Sequence, residues 1–313
     1  MVVRLVFSTL GVLAAALIAG PSLAGPVIEQ IARDGVLTAG TSKDAFPYAY
    51  QNGAGDLVGY SIDMMHRITE ELALELGRPV RLKLIALDTD ERISSLESSK
   101  VSLVCDASSF TWERDRKVDF SVSYGITGTQ LLIRRDSNLS SQESLAGKRI
   151  GILPRTTSEL AIRKQQPKAI PVLLEDRNSG YQALKDGTID GFADDGVLLY
   201  SWLQRQPQPT GFQVGDRSYS KEGIACMLPQ SDPAFQRIVN MALIRYMQGF
   251  IAGQPRETAI FDQWFGPGSA APLTQDLRDL SIETMQLMVD LRERVPPRRS
   301  PQQRSGADAH RGT

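Results

Sequence analysis

The chain has 313 residues, of which 42% are hydrophobic and 23% charged, and this globular composition is long enough for about two domains. The formal net charge is −1, which gives no overall case for binding nucleic acid or an anionic membrane. With only two His and two Cys the chain lacks an evident metal site, and we expect no metal or other cofactor.

Residues 1–24 are predicted to be a secretory signal peptide. Arg4 gives a positive start, an apolar run extends from Leu5 to about Ile18, and the small residues of "SLA" end at Ala24. A membrane helix is the alternative, but the run is shorter than the ~20 residues that a span requires. We therefore expect cleavage near Ala24 and export of a soluble protein.

The next part of the chain alternates between strand-like and helix-like segments. Apolar residues at Ile62, Met65, Ile68 and Leu72 predict a helix that ends at Gly77. The other segments are two strands, "GVLTAGT" and "VRLKLIAL"; a short helix, "ERISSLESSK"; a strand, "VSLVC"; and an extended run, "VDFSVSYGITGTQLLIRR". This alternation favours an α/β fold with a largely parallel sheet.

A second α/β unit follows. Its strands are predicted in "LAGKRIGIL", "AIPVLLE" and "IDGFADD", and its helices in "TTSELAIRKQQ", "SGYQALKDG" and "GVLLYSWLQRQ". "KEGIACMLP" is again strand-like, and two helices come after it, "DPAFQRIVNMALIRYMQGF" and "RETAIFDQWFG". Residues 267–293 are expected to form a helical extension, and residues 294–313, which are rich in Pro, Arg, Gln and Gly, are expected to be disordered.

Polar clusters follow six of the predicted strands. They are "TSKDAF", "LDTDER" and "DASSFTWER" in the first unit, and "LPRTTSE", "EDRNSG" and "ADDG" in the second. Ligands of open α/β sheets bind outside the carboxyl ends of the strands. The clusters therefore predict a ligand cleft between two lobes that face each other.

Several segments, taken in order, resemble the periplasmic amino-acid-binding proteins of ABC importers, the family 3 solute-binding proteins. They are "GTSKDAFPYAYQNGAGDLVGYSIDMMHRI", "ASSFTWERDRKVDFS", "GKRIGILPRTTSE", "LKDGTIDGFADD", "KEGIACMLP" and "FDQWFG". The resemblance covers nearly all of residues 27–290 and is closest to the glutamate/aspartate-binding branch. It implies a non-enzymatic periplasmic protein, expected to be a monomer, that binds an amino acid and delivers it to a membrane permease.

The family's type II periplasmic-binding-protein fold has two α/β lobes joined by two crossover strands. Carried over to this chain, lobe 1 comprises residues 25–128 and 223–266, and lobe 2 comprises residues 129–222. The lobes are expected to close on the ligand by a rigid-body motion about the crossovers near Gly125–Gly128 and Glu222–Gly223. The resemblance also includes the paired cysteines of the branch, and it implies a disulfide between Cys105 and Cys226.

The resemblance assigns the α-carboxylate of the ligand to Arg114, whose guanidinium can form a two-pronged contact with a carboxylate. Thr156 and Thr157 begin a helix whose hydroxyls and backbone N–H groups favour the same anion, and an ordinary N-cap is compatible with this role. Glu113 and Arg116, on either side of Arg114, are expected to be surface charges.

The α-ammonium is assigned to Asp194, with acceptors from Ser109 and the carbonyl of Ala107. Asp195 is predicted to be a helix cap. Thr111 is expected to cap the short helix "WERDRK", and Trp112 is expected to pack there.

The side chain of the ligand is assigned to Arg92 and its hydroxyl neighbour Thr89, which point to glutamate or aspartate. The second side-chain arginine of the branch aligns with Ser42, and the adjacent Lys43 is a candidate substitute. Arg177 stands where the branch has a His. Positive charge is thus rearranged, and a related polar or modified ligand is the alternative.

Two other functions fit the same fold. A sensor module would bind the same ligand but would signal to a receptor. A cyclohexadienyl-type dehydratase would reuse the carboxylate-binding arginine and add a general acid, for which Asp44, Asp106 and Glu175 are candidates.

Overall fold

A computed structural model describes residues 25–137, 139, 145–207 and 211–292. The predicted signal peptide and the predicted disordered tail lie outside these residues. Among the described residues, no helix combines the length and the apolar character that crossing a membrane would require.

The strands form two five-stranded sheets, one from each predicted lobe, and two smaller sheets. In chain order they are β1 (Val36–Thr41), β2 (Asp44–Ala45), β3 (Ala49–Gln51), β4 (Leu57–Val58), β5 (Arg81–Ala86), β6 (Leu103–Val104), β7 (Asp119–Phe120), β8 (Gly125–Thr127), β9 (Thr129–Arg134), β10 (Arg149–Ile152), β11 (Ile170–Leu173), β12 (Gly191–Asp195), β13 (Phe212–Val214), β14 (Glu222–Ile224) and β15 (Met227–Leu228).

Helices alternate with these strands along the chain. They are α1 (Pro26–Asp34), α2 (Tyr60–Leu76), α3 (Arg92–Glu97), α4 (Trp112–Asp115), α5 (Thr157–Gln165), α6 (Arg177–Lys185), α7 (Gly196–Gln204), α8 (Pro233–Ile251), α9 (Pro255–Phe265) and α10 (Gln275–Asp290). α2 buries the four predicted apolar residues and ends at Gly77, whose φ of 64° suits a residue without a Cβ. These elements confirm the predicted α/β alternation.

The two large sheets have the orders β5-β1-β6-β15-β7 and β11-β10-β12-β9-β13. β5, β1 and β6 run parallel, as do β11, β10 and β12, whereas β15 and β9 run antiparallel to their neighbours. The prediction of a largely parallel sheet is therefore wrong for half of the strand pairs in these two sheets. β9 and β15 each follow a passage of the chain from one large sheet to the other, so they enter the sheet from the opposite end.

The two passages of the chain between the large sheets pair with each other. β8 and β14 form an antiparallel ribbon in which Thr127 faces Glu222 and Ile126 faces Gly223. A Cβ on Gly128 would lie 2.1 Å from the carbonyl oxygen of Ser220, so close approach of the backbone requires glycine here. The ribbon lies where the hinge is predicted, while the closing motion and the exact lobe boundaries stay predictions.

Within the predicted C-terminal extension, Gln275–Asp290 form α10, and this helix packs against lobe 1. α10 packs against α8 and β8, and it buries Met285 and Val289 in the core that surrounds α2 and α8. Arg278 of α10 pairs with Asp262 of α9 at 2.8 Å.

Cys105 and Cys226 form a disulfide, with their Cα atoms 4.4 Å apart and both residues fully buried. Cys105 follows β6 and Cys226 precedes β15, and these strands are neighbours in the first sheet. The predicted pairing is confirmed.

Candidate functional site

Charged side chains from both lobes converge at the crossover ribbon. Lobe 1 contributes the loop after β6 and the start of α3, and lobe 2 contributes the end of β12 and the start of α6. Arg177 of lobe 2 pairs with Asp44 of lobe 1, and Arg155 of lobe 2 contacts Arg114 and Asp90 of lobe 1. These contacts connect members of the predicted polar clusters of both lobes, and the ligand cleft that they would form stays a prediction.

Arg114 is hydrogen-bonded to neutral carbonyl groups. Its Nη1 donates to the carbonyl of Ser109 (2.7 Å) and its Nη2 donates to the carbonyl of Arg155 in lobe 2 (3.0 Å). Within the described ranges it forms no ion pair. Burial, together with the positive charge of Arg92, lowers the pKa of Arg114 to about 10. The site would thus gain from an anionic group placed beside this guanidinium.

Four buried oxygens at the ribbon have no hydrogen-bond partner among the described residues. They are Asp195 Oδ1, Glu222 Oε2, Ser109 Oγ and Thr127 Oγ1. Strand pairing places them around the crossover, because Thr127 faces Glu222, Ser109 bridges to Ile224, and Asp195 faces Thr129. Unsatisfied buried acceptors are costly, so this group of oxygens suits a donor with several N–H groups.

Asp195 is a buried acid whose carboxylate form is disfavoured by its surroundings. Burial raises its pKa well above the usual range, and the nearby charges of Asp194 and Glu222 raise it further. An ammonium group beside the carboxylate would reverse this effect.

The sequence analysis assigned the two neighbouring acids differently. Asp194 Oδ2 accepts from Arg177 Nε at 2.7 Å, so this carboxylate already has a cation. Asp195 stands at the N-cap position of α7, but its side chain makes no capping hydrogen bond. The prediction that Asp195 acts as a helix cap is therefore wrong, because its carboxylate does not reach the free N–H groups of α7.

Arg92 is held by groups of lobe 1. Its Nη1 donates to Asp106 Oδ2 (3.1 Å) and to Ser108 Oγ (2.7 Å), and its Nε donates to the carbonyl of Thr89 (2.9 Å). Asp106 also accepts from the hydroxyls of Ser42 (2.7 Å) and Ser108. Burial alone would raise the pKa of Asp106, but Arg92 and the two hydroxyls lower it below the usual range, so the carboxylate is charged.

Arg177 links the two lobes. Its Nη1 donates to Asp44 Oδ1 (2.9 Å), its backbone N–H donates to Asp44 Oδ2 (3.1 Å), and its Nε bonds Asp194. The guanidinium is buried, which by itself lowers its pKa, but Asp194 and Asp44 outweigh burial and raise it. Arg177 therefore lies at the site as predicted, although it is shared by two acids of the protein.

Other predicted residues lie at the edge of this network. Lys43 pairs with Asp88 at 2.9 Å, and both side chains are about half exposed, so Lys43 does not replace the missing arginine. Ala107 is buried between the two polar residues Asp106 and Ser108. Thr89 contributes its carbonyl to Arg92, and no hydrogen bond of its hydroxyl was found among the described residues.

Thr156 is the N-cap of α5, where it accepts from the N–H of Glu159 (3.1 Å) and donates to the carbonyl of Leu153 (2.7 Å). Thr157 is the first residue of that helix. The predicted cap is confirmed, and contact of this helix end with an anion stays a prediction.

α4 is capped by Thr111, as expected. Trp112, in contrast, is 78% exposed, and its ring lies 5.1 Å from that of Phe110, centroid to centroid. The prediction that Trp112 packs is wrong, because the four residues of α4 bury no side chain against the lobe.

Glu222 and Thr127 are site residues that the sequence analysis missed. They lie 95 positions apart and meet only because β8 and β14 pair, and no local pattern marks that pairing. Within the described ranges, no cluster of three or more His, Cys, Asp or Glu residues is placed to hold a metal ion.

Comparisons with known proteins place the chain in one family. Residues 37–267 match the family described as bacterial extracellular solute-binding proteins, family 3. The glutamate/aspartate import solute-binding protein of Salmonella typhimurium strain LT2 is 26% identical over 79% of this chain and 82% of its own length. The L-glutamate/L-aspartate-binding protein of Pseudomonas aeruginosa is 27% identical over 85% and 92%, respectively.

Among solved structures, a mutant of ArgBP from T. maritima superposes with a TM-score of 0.67. It is 22% identical and covers 76% of this chain and 98% of its own. At this identity the match shows the fold alone, and it confirms the two-lobed type II periplasmic-binding-protein architecture.

Proposed function

This chain belongs to the bacterial extracellular solute-binding proteins of family 3, and we propose that it captures a free amino acid in the cleft for the membrane permease of an ABC importer. One observation carries the proposal: among the described residues, the half-buried Arg114 is in no ion pair, and the buried carboxylate of Asp195 has neither an ion pair nor a hydrogen-bond partner for Oδ1. An α-amino acid supplies both missing charges. Capture takes place in the periplasm after removal of residues 1–24.

Arg114 receives the α-carboxylate. Its guanidinium is the only one of the three cleft arginines, within the described residues, that is not in an ion pair. Its present hydrogen bonds go to neutral carbonyls, which a carboxylate outcompetes as an acceptor. The contact with Arg155 joins Arg114 to lobe 2, so the ligand end lies where the lobes meet.

Asp195 receives the α-ammonium, with Ser109 Oγ as a second acceptor. This assignment replaces Asp194, whose carboxylate is already engaged by Arg177. Asp195 Oδ1 and Ser109 Oγ are both buried and have no hydrogen-bond partner among the described residues, so both are available to accept from the ammonium.

Glutamate and aspartate are the ligands that the resemblance predicts, and the Salmonella and Pseudomonas relatives carry those names. Arg92 and Arg177 stand at the side-chain end, as that prediction requires. Each is already paired with acids of this chain, however, and the identity of the side chain is taken up below.

The alternatives are less well supported by the cleft. The three acids considered above as the general acid of a dehydratase are poorly suited to that role: Asp106 is held in its charged form, Asp44 is paired with Arg177, and Glu175 is exposed. A sensor module would use the same site with another partner, and genes for a permease and an ATPase beside this one would favour transport.

A thermal-shift screen tests the proposal. Proteinogenic amino acids and matched dicarboxylates without an amino group are added to the mature protein. A ligand at 100 times its dissociation constant adds about 2.7 kcal/mol of stability, which is easily detected. We expect at least one amino acid to raise the melting temperature, and the amine-free analogues to have little effect. Equal stabilisation by an analogue that lacks the ammonium would contradict the assignment of Asp195.

A further inference from the structure

The two arginines at the side-chain end of the cleft are already neutralised by the protein. Arg92 contacts Asp106 at 3.1 Å, and the side chains of both residues are nearly inaccessible to solvent, at 7% and 0% exposure. Both oxygens of Asp106 are occupied, one by Ser42 and the other by Ser108, with Arg92 Nη1 within reach of each. Asp106 is thus the carboxylate partner of Arg92, a role that the side-chain carboxylate of an acidic ligand would otherwise take.

Arg177 is engaged by two acids. It pairs with Asp44 of lobe 1 at 2.9 Å and with Asp194 of lobe 2 at 2.7 Å, and the three side chains are 12% exposed or less. These two pairs leave the guanidinium without a free charge for a ligand carboxylate.

The same holds for the three arginines taken together. Arg92 and Arg177 each already have a carboxylate partner in this chain, and Arg114 is assigned to the α-carboxylate of the ligand. A second carboxylate on the ligand would be buried without a free cation, or it would have to displace one of the protein's own acids.

Arg92 and Arg177 nevertheless keep N–H groups that can donate hydrogen bonds to a ligand. The hydrogen bonds of Arg92 and Arg177 to described residues use Nε and Nη1, and Nη2 of each donates to none of them. The hydroxyls of Ser42 and Ser108 donate to Asp106 and keep lone pairs that can accept. This set matches a neutral group that both accepts and donates.

We therefore propose that the side chain of the ligand is uncharged and polar, such as a carboxamide, and that Asp106 and Asp44 exclude an acidic side chain by occupying its arginines. The inference rests on the proposed function, since it assumes that an amino acid binds in this cleft.

Calorimetry with two matched pairs, glutamine against glutamate and asparagine against aspartate, tests the proposal, because the members of each pair differ in charge and hardly in shape. We expect the amide of the better-binding pair to bind at least roughly tenfold more tightly, or about 1.4 kcal/mol. An acid that binds equally or more tightly would overturn the inference, and so would a cationic amino acid that binds more tightly than either amide. If no amino acid binds at all, the proposed function itself fails.

Two variants show whether the protein's acids cause the preference. Asp106→Asn keeps the shape but frees the charge of Arg92, and Asp44→Asn does the same for Arg177. Each is expected to shift the amide-to-acid affinity ratio toward the acid by roughly tenfold. Asp88→Asn, at an exposed acid paired with Lys43, is the control and should leave the ratio unchanged. Folded variants that bind with the wild-type ratio would overturn the role of these acids, and Asp44→Asn provides the test if Asp106→Asn does not fold.

Discussion

Replacing Arg114 by alanine removes the cation that is expected to hold the α-carboxylate. In the ligand-free protein we expect only a small loss of folding stability. The side chain donates hydrogen bonds to two backbone carbonyls, which contribute about 0.5–1.5 kcal/mol each, and the cost of desolvating the guanidinium offsets part of this. In the complex the same change leaves a buried carboxylate unpaired. Such truncations typically cost about 2–5 kcal/mol, equivalent to roughly 30-fold to several-thousand-fold in affinity.

Titration calorimetry of the wild type and of Arg114→Ala with the ligand found by screening measures this loss directly. Arg116→Ala is the matched control, because Arg116 is exposed and follows the same short helix. Arg114→Lys should fall between the two, since it keeps the charge but loses the two-pronged geometry. If Arg114→Ala is folded and binds within about threefold of the wild type, or if Arg116→Ala loses as much, the reasoning about the carboxylate end is refuted.

Three further changes have distinct expected outcomes. Asp195→Asn should weaken ligand binding and stabilise the ligand-free protein near neutral pH. The reason is that the pKa of Asp195 is raised in the folded state, so the wild type loses stability as the pH rises above the pKa that this group has in the unfolded chain. Melting curves of both proteins across pH check this. By the same linkage, wild-type affinity should fall as pH drops through that raised pKa, by at most about tenfold per pH unit, and the dependence should flatten in Asp195→Asn. Replacing Cys105 and Cys226 by serine opens a link between residues 121 positions apart, and urea titration should show a loss of up to about 5 kcal/mol with ligand affinity retained after refolding. Gly128→Ala places a Cβ 2.1 Å from a backbone oxygen and should cost about 1–3 kcal/mol in the same titration; wild-type stability would contradict the close approach at the ribbon.

Local patterns were sufficient for much of the fold. α2, with its apolar residues at helical spacing and its terminal glycine, could be predicted with its C-terminal limit because propensity, periodicity and burial agree there. The direction of β9 and β15 could not, since it depends on the chain passing twice between the lobes, which no short segment encodes.

The candidate site shows the same division. Arg114 and Ser109 follow one strand and could be identified from a motif, whereas the choice between Asp194 and Asp195 depends on which of them Arg177 contacts. Lys43 was a reasonable substitute for an arginine by position, but its amine pairs with the half-exposed Asp88. Asp106 shows most clearly what sequence alone omits: an acid that looks like a possible catalyst becomes the counterion of Arg92 once the loop after β6 lies beside α3.

A crystal structure of the mature protein with its amino acid bound tests the central claim most directly. We predict the α-carboxylate within hydrogen-bond distance of the Arg114 guanidinium, and the amino nitrogen within hydrogen-bond distance of Asp195 Oδ1 and Ser109 Oγ. A ligand bound outside the cleft, or one that leaves both Arg114 and Asp195 without contact, would contradict it.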